Sequence, residues 1–213
     1  MYLLADQAVM SFEFVWRVLT FCFVMSVVPG PNSTIVFSAG LNYGFLKTVP
    51  YMIGAAGSIS LMFAAVAWGI MEIFNAFPAA YGYLRYVGMA YILYLAWKIA
   101  AAPVQEKNNP EGGSALGRCP TFLNGVLLQW VNPMIWMLAV AGVAICVVSS
   151  NPWLSLLILC VTFFVMCILG LMAWSYGGNL SGRFIRSSRV RRAVNLFMGL
   201  LLASSVWGLF WSL

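Results

Sequence analysis

Apolar residues run along this chain with so few charges between them that the charges mark the ends of the elements. No charged residue occurs between Val18 and Leu46, and after Lys47 none occurs from Thr48 to Met71. A third apolar run, Leu84 to about Ala101, carries Arg85 and Lys98 at its two ends, where long basic side chains can snorkel to membrane interfaces. Glu72 and Arg85 bracket Ile73 to Leu84, which Asn75, Pro78 and Gly82 mark as a turn rather than a span. Pro103 to Arg118 reads as an aqueous loop. Cys119 to Gly182 is charge-free and long enough for two spans, with its turn at Ser149, Ser150, Asn151 and Pro152. Ala193 to Leu213 supplies a sixth. The pattern predicts an all-α polytopic membrane protein of about six transmembrane helices at about 20 residues per span.

Composition supports that class. Of 213 residues 63% are hydrophobic and 8% charged, against roughly a quarter charged in soluble domains. Lipid must be the solvent for most of the chain, and the expected organisation is a single membrane domain over 1–213. The absence of His excludes zinc hydrolase sites, His-based triads, His-ligated haem and His proton relays. The five Cys form no C-x-x-C pair, so neither a metal knuckle nor a thioredoxin-like motif is present. No metal, no cofactor and no enzymatic activity are expected.

The net charge of +6 could suggest nucleic acid, but five of the eleven cations, Arg183, Arg186, Arg189, Arg191 and Arg192, fall in one short stretch. A juxtamembrane cluster that sets topology accounts for them better, and no nucleic-acid partner is expected. With Lys47, then Lys107 and Arg118, then these arginines, the odd-numbered loops are the basic ones. That places odd loops in the cytoplasm and both termini outside. Asp6 and Glu13 precede Arg17 without the basic start or cleavage pattern of a signal peptide, so the N-terminus is expected to be retained.

The run from Val18 to Leu46 would make a helix of about 43 Å, longer than a hydrocarbon core of about 30 Å. Pro29, Gly30, Pro31 and Asn32 break it: the prolines cannot donate to the carbonyls of Met25 and Val27. A second half-helix can start with Pro31 in its first turn, leaving the amides of Asn32, Ser33 and Thr34 unpaired. Gln129, Trp130, Val131, Asn132 and Pro133 repeat the device, Pro133 freeing the Gln129 carbonyl. An offset of 102 residues lays Pro31 on Pro133, Ala39 on Ala141 and Gly40 on Gly142, and a looser one of 111 lays Gly88 on Gly199. Three spans followed by three spans run in opposite senses. The expected halves are therefore inverted repeats, about 10–103 and 119–213, joined by a cytoplasmic loop of about 104–118, with helices one and four broken.

Paired broken helices in inverted halves are a transporter's sign, although a proline can also simply kink a helix for packing. Free amides at a half-helix start suit a carboxylate, and freed carbonyls with Asn32, Gln129 and Asn132 suit an ammonium group. Trp130, beside the second break, and Tyr91, in helix three, are candidate cavity-lining aromatics. Gly54, Gly57 and Ser58 form a small-residue face for helix packing.

With these residues in view, the chain resembles the lysine-exporter (LysE/RhtB) family of bacterial amino-acid exporters. The resemblance lies in VVPGPNSTIVFSAGLNYGFLKTVPYMIGAAGS at 27–58, YVGMAYILYLAWKIAAAP at 86–103 and LNGVLLQWVNPMIW at 123–136. The helix-three and helix-four stretches look most like the cysteine and O-acetylserine branch. The resemblance implies an inner-membrane protein that expels a small amino acid or derivative using the proton gradient. It implies functional weight for Pro29, Gly30, Pro31, Asn32, Asn132 and Pro133. Many relatives carry an acid where Ser58 stands, which puts the proton-coupling residue in doubt; Glu72 reads as a solvated helix end. The partners expected are the amino acid and membrane lipid, with self-association left open. Rival readings are a thiol relay through Cys22 and Cys119 or Cys146, a metal-ion exporter, which would need Asp or Glu ligands inside the spans, and a membrane subunit without transport.

Overall fold

The computed structural model of the chain describes residues 11–69, 76, 78–102, 119–148, 150–185 and 187–211. The described residues are helical, without strands: α1 (Phe12–Val27), α2 (Pro31–Tyr43), a 3-10 turn (Phe45–Thr48), α3 (Val49–Ala67), α4 (Pro78–Ala100), α5 (Phe122–Val131), α6 (Pro133–Cys146), α7 (Pro152–Phe184) and α8 (Ser188–Trp211).

Local chemistry fixes most of these boundaries. Ser11 caps α1 by accepting from the Phe14 amide at 3.2 Å. Val28 is extended before Pro29, as a residue preceding proline tends to be, and α1 ends there. Gly44 ends α2 with φ at +88°, a conformation that favours glycine. A capping box between Thr121 and Asn124 opens α5. Asn151 caps α7 through the Leu154 amide at 3.4 Å.

Two helix starts differ from the sequence expectation. α4 begins at Pro78 rather than at Leu84, because proline suits the first helical position, where its missing N–H costs nothing. α8 begins at Ser188 rather than at Ala193, so Arg189, Arg191 and Arg192 lie in its first turns. The Arg191 side chain donates to the Gly182 carbonyl at 2.9 Å and thereby serves the end of α7. Glu72, Arg186 and the loop 104–118 lie outside the described residues.

By length and composition α7 and the segment Phe45–Ala67 can each cross a membrane. The pairs α1 with α2 and α5 with α6 pass the same test together, bent by 52° and 76° at their breaks. The 33 residues of α7 extend about 50 Å at 1.5 Å per residue, and α1, α2 and α3 all pack on it. Glycines set these close crossings. A side chain at Gly40 would meet the Ser175 backbone, and one at Gly178 would meet the Phe37 carbonyl. α3 and α5 meet the same way, Gly54 against the Phe122 carbonyl and Gly125 against that of Tyr51. Phe14, Phe63, Phe163 and Leu159 fill the core, while Trp16, Leu61, Leu157 and Leu169 face outward, as lipid requires.

Candidate functional site

At the first break Gly30 is the N-cap of α2, and with no side chain it supplies no cap. The Thr34 amide and hydroxyl both donate to the Gly30 carbonyl, each at 3.0 Å. Thr34 is thus paired, contrary to the sequence expectation, because its amide is the first to reach a carbonyl four residues back. The amides of Asn32 and Ser33 find no acceptor among the described residues. The Val27 carbonyl, which Pro31 cannot serve, accepts the indole N–H of Trp174 on α7 at 3.3 Å.

The second break is a single residue, Asn132. Its Oδ1 accepts the Met134 amide at 3.0 Å, and its carbonyl accepts the Ile135 amide at 3.1 Å. The Gln129 carbonyl freed by Pro133 takes the Asn132 amide at 3.2 Å. The Trp130 carbonyl accepts the indole N–H of Trp136 at 3.0 Å. At each break, then, an indole satisfies a carbonyl that the proline geometry leaves open, which a membrane interior demands. On the far side of the second break Gly88 of α4 approaches the Val131 carbonyl and Pro133.

The two breaks are joined by side chains. Asn32 Nδ2 donates to Gln129 Oε1 at 3.0 Å, and Gln129 Nε2 donates back to Asn32 Oδ1 at 2.9 Å. The hydroxyl of Tyr51 on α3 donates to the same Asn32 Oδ1 at 2.7 Å, and Gln129 Nε2 also donates to the Gly125 carbonyl at 2.9 Å. Three elements therefore meet on one neutral amide. Gln129 is fully buried and Asn132 is 1% exposed, so neither side chain is open to a solute in this conformation.

A cavity of about 40 Å³ lies between α2, α4 and the start of α5, lined by Ser38, Asn42, Tyr43, Lys98 and Asn124 among others. It has room for about three water molecules. Asn42 Nδ2 donates to the Ser38 carbonyl at 2.9 Å and to Oδ1 of the fully buried Asn195 at 2.8 Å. Lys98, near the end of α4, lines this cavity. Asn195, Tyr51 and Trp174 carry no motif or charge that marks them in the sequence, whereas Lys98 is marked by its charge.

Tyr91 is held by Asn124, whose Nδ2 donates to the Tyr91 hydroxyl at 3.4 Å, and it stacks on Tyr94 at 6.2 Å between ring centroids. Trp130 packs edge-on to Trp136 at 5.6 Å. Gly57 has only Phe164 near it, in ordinary contact, whereas Gly54 marks a close crossing; Ser58 is buried on the same helix. Cys22 is fully buried, and Cys119 donates to the Lys47 carbonyl at 3.2 Å. Burial pushes the Cys119 thiol up to about 11, although Lys47 and Lys98 pull it down. Little thiolate is present near neutral pH, which a thiol relay would need.

The family described as LysE type translocator matches residues 23–206. Two relatives, from Escherichia coli (strain K12) and Salmonella typhimurium (strain LT2), are each named cysteine/O-acetylserine efflux protein. Each is 28% identical over 187 residues, covering 86% of this chain and 90% of the relative. No solved structure matches the chain.

Proposed function

The chain belongs to the LysE type translocator family, and from that premise we propose that it exports a small neutral amino acid or derivative, of the cysteine or O-acetylserine kind, by alternating access at its two broken helices. The relatives named as cysteine/O-acetylserine efflux proteins support the cargo class. The observation that carries the mechanism is the reciprocal Asn32–Gln129 amide pair, which ties one break to the other.

In this reading the unpaired amides of Asn32 and Ser33, at the positive end of α2, take the substrate carboxylate. Freed backbone carbonyls and the oxygens of Asn32 and Gln129 take the ammonium group once the pair parts. Interhelical hydrogen bonds in membranes average about 0.6 kcal/mol each. The two amide bonds and the Tyr51 bond therefore cost about 2 kcal/mol to open, which a zwitterion that replaces them offsets. A neutral site suits a net-neutral cargo.

The domain is a single membrane unit over 1–213 of about six spans, with inverted repeats of about 10–103 and 119–213 joined by a cytoplasmic loop of 104–118. Packing supports this arrangement: α1 lies on α7 as α5 lies on α3, α2 lies on α7 as α6 lies on α3, and α4 pairs with α8. Lys47, Lys98, Arg183, Arg189, Arg191 and Arg192 sit at one end of the bundle, where Cys119 meets Lys47 and Arg191 meets Gly182. The positive-inside rule assigns that end to the cytoplasm of a bacterial inner membrane, with both termini periplasmic. The proton gradient is the drive, with no carboxyl at Ser58 to carry the proton.

The test is uptake of labelled cysteine, O-acetylserine, serine and threonine into inverted vesicles holding the purified protein, with and without an imposed proton gradient. Gradient-dependent accumulation of one of them is expected. Movement of none would remove the reading.

A further inference from the structure

We propose that the cavity between α2, α4 and the start of α5 is a second ligand site, which captures the carboxylate of an amino acid through Lys98 before it reaches the breaks. The direction of use rests on the exporter reading; the chemistry rests on the cavity itself. Among the described residues Lys98 is the only charged one lining it. Among the described residues it makes no hydrogen bond or ion pair, which leaves its ammonium group available to a ligand. The hydroxyl of Tyr43, on the same lining, is likewise without a partner. A cation from α4 and a phenol from α2 lining one cavity are the donors a carboxylate needs.

The opposite charge of a zwitterion also has a place. The Asn42 amide nitrogen is spent on the Ser38 carbonyl and on Asn195, which fixes the side chain. Its Oδ1 is held only by a long 3.4 Å contact from Asn195 Nδ2 and so remains an acceptor for an ammonium group. Ile35, Ala39 and Asn42 recur at the three- and four-residue spacing of a single helix face, and three residues before Ile35 that face carries Asn32. A carboxylate held at Lys98 therefore lies at the foot of a track that leads along α2 to the paired amides. The present volume of about 40 Å³ accommodates a carboxylate in place of about three waters, with the rest of the amino acid at the mouth.

Binding of labelled O-acetyl-L-serine to the purified full-length chain tests this, with propionate and O-acetyl-L-serinamide as competitors. Lys98→Gln is expected to weaken binding about tenfold or more, the worth of one charge-assisted hydrogen bond. Lys98→Arg should restore most of it, which a folding defect would not allow. Propionate should compete and the amide should not. Unchanged binding by Lys98→Gln, equal competition by the amide, or no binding by the parental chain would each overturn the inference. Vesicle transport run in parallel separates the two proposals. Parental transport with Lys98-independent binding removes this site and keeps the exporter, whereas Lys98-dependent binding without transport does the reverse.

Discussion

At the first break the helix that resumes at Pro31 leaves two amides without partners and sends Asn32 across to Gln129. At the second, Asn132 turns its own oxygen onto the Met134 amide and closes the helix start on itself. The repeat offset that lays Pro31 on Pro133 lays Gly30 on Asn132. The side chain accounts for part of the difference: the N-cap asparagine takes the Met134 amide with its Oδ1 and the Ile135 amide with its carbonyl, whereas the N-cap glycine takes neither the Asn32 nor the Ser33 amide. The sharper bend, 76° against 52°, belongs to the sealed break. We read the first break as the ligand-facing one and the second as the anchor that holds Gln129 in place.

The comparison can be broken most directly at Asn32. Asn32→Leu removes both amide bonds and the Tyr51 acceptor, and transport should fall roughly hundredfold, as for the loss of two hydrogen bonds to a charged ligand. The amount of protein in the membrane should stay near parental, because about 2 kcal/mol of interhelical bonding does not decide insertion. Quantified vesicle uptake checks both. Gly30→Asn sharpens the contrast by installing the missing cap. Nothing lies within 4 Å of a side chain there, and the extended backbone admits it. Substrate affinity should fall about tenfold while stability rises by a few tenths of a kcal/mol, read from uptake kinetics and thermal unfolding. The converse change, Asn132→Gly, should cost only a few tenths of a kcal/mol and leave substrate affinity within about twofold.

The smallest effect expected is on Cys119, which donates to the Lys47 carbonyl. Its thiol is raised to about 11 by burial, and the thiolate is the reactive form. Alkylation of a variant with Cys119 as its sole cysteine should therefore climb with pH through the neutral range and level off only near that value. A plateau by pH 9 would mean that the thiol is not buried beside Lys47.

Much of this contrast could be read from residue order. PGPN and N-P locate both breaks because proline acts on the backbone within four residues of itself, and Pro152 after Asn151 locates the hairpin between α6 and α7 for the same local reason. The starts of α4 and α8 are not legible in the sequence, because Pro78 and the arginines suit a loop as well as a helix's first turns. Asn32 and Gln129 were legible as site residues, but their pairing was not, since it depends on how α2 crosses α5. Tyr51, Trp174 and Asn195 were hidden altogether. A polar tip in an apolar helix shows no signal until packing says whether it faces lipid or another helix.

Coupling of the two breaks through Asn32 and Gln129 can be measured by a double-mutant cycle on vesicle uptake, comparing Asn32→Ala, Gln129→Ala and the pair. Each single change is expected nearly to abolish uptake, and the double to be no worse than either. Singles that transport at the parental rate, or losses that simply multiply, would contradict it.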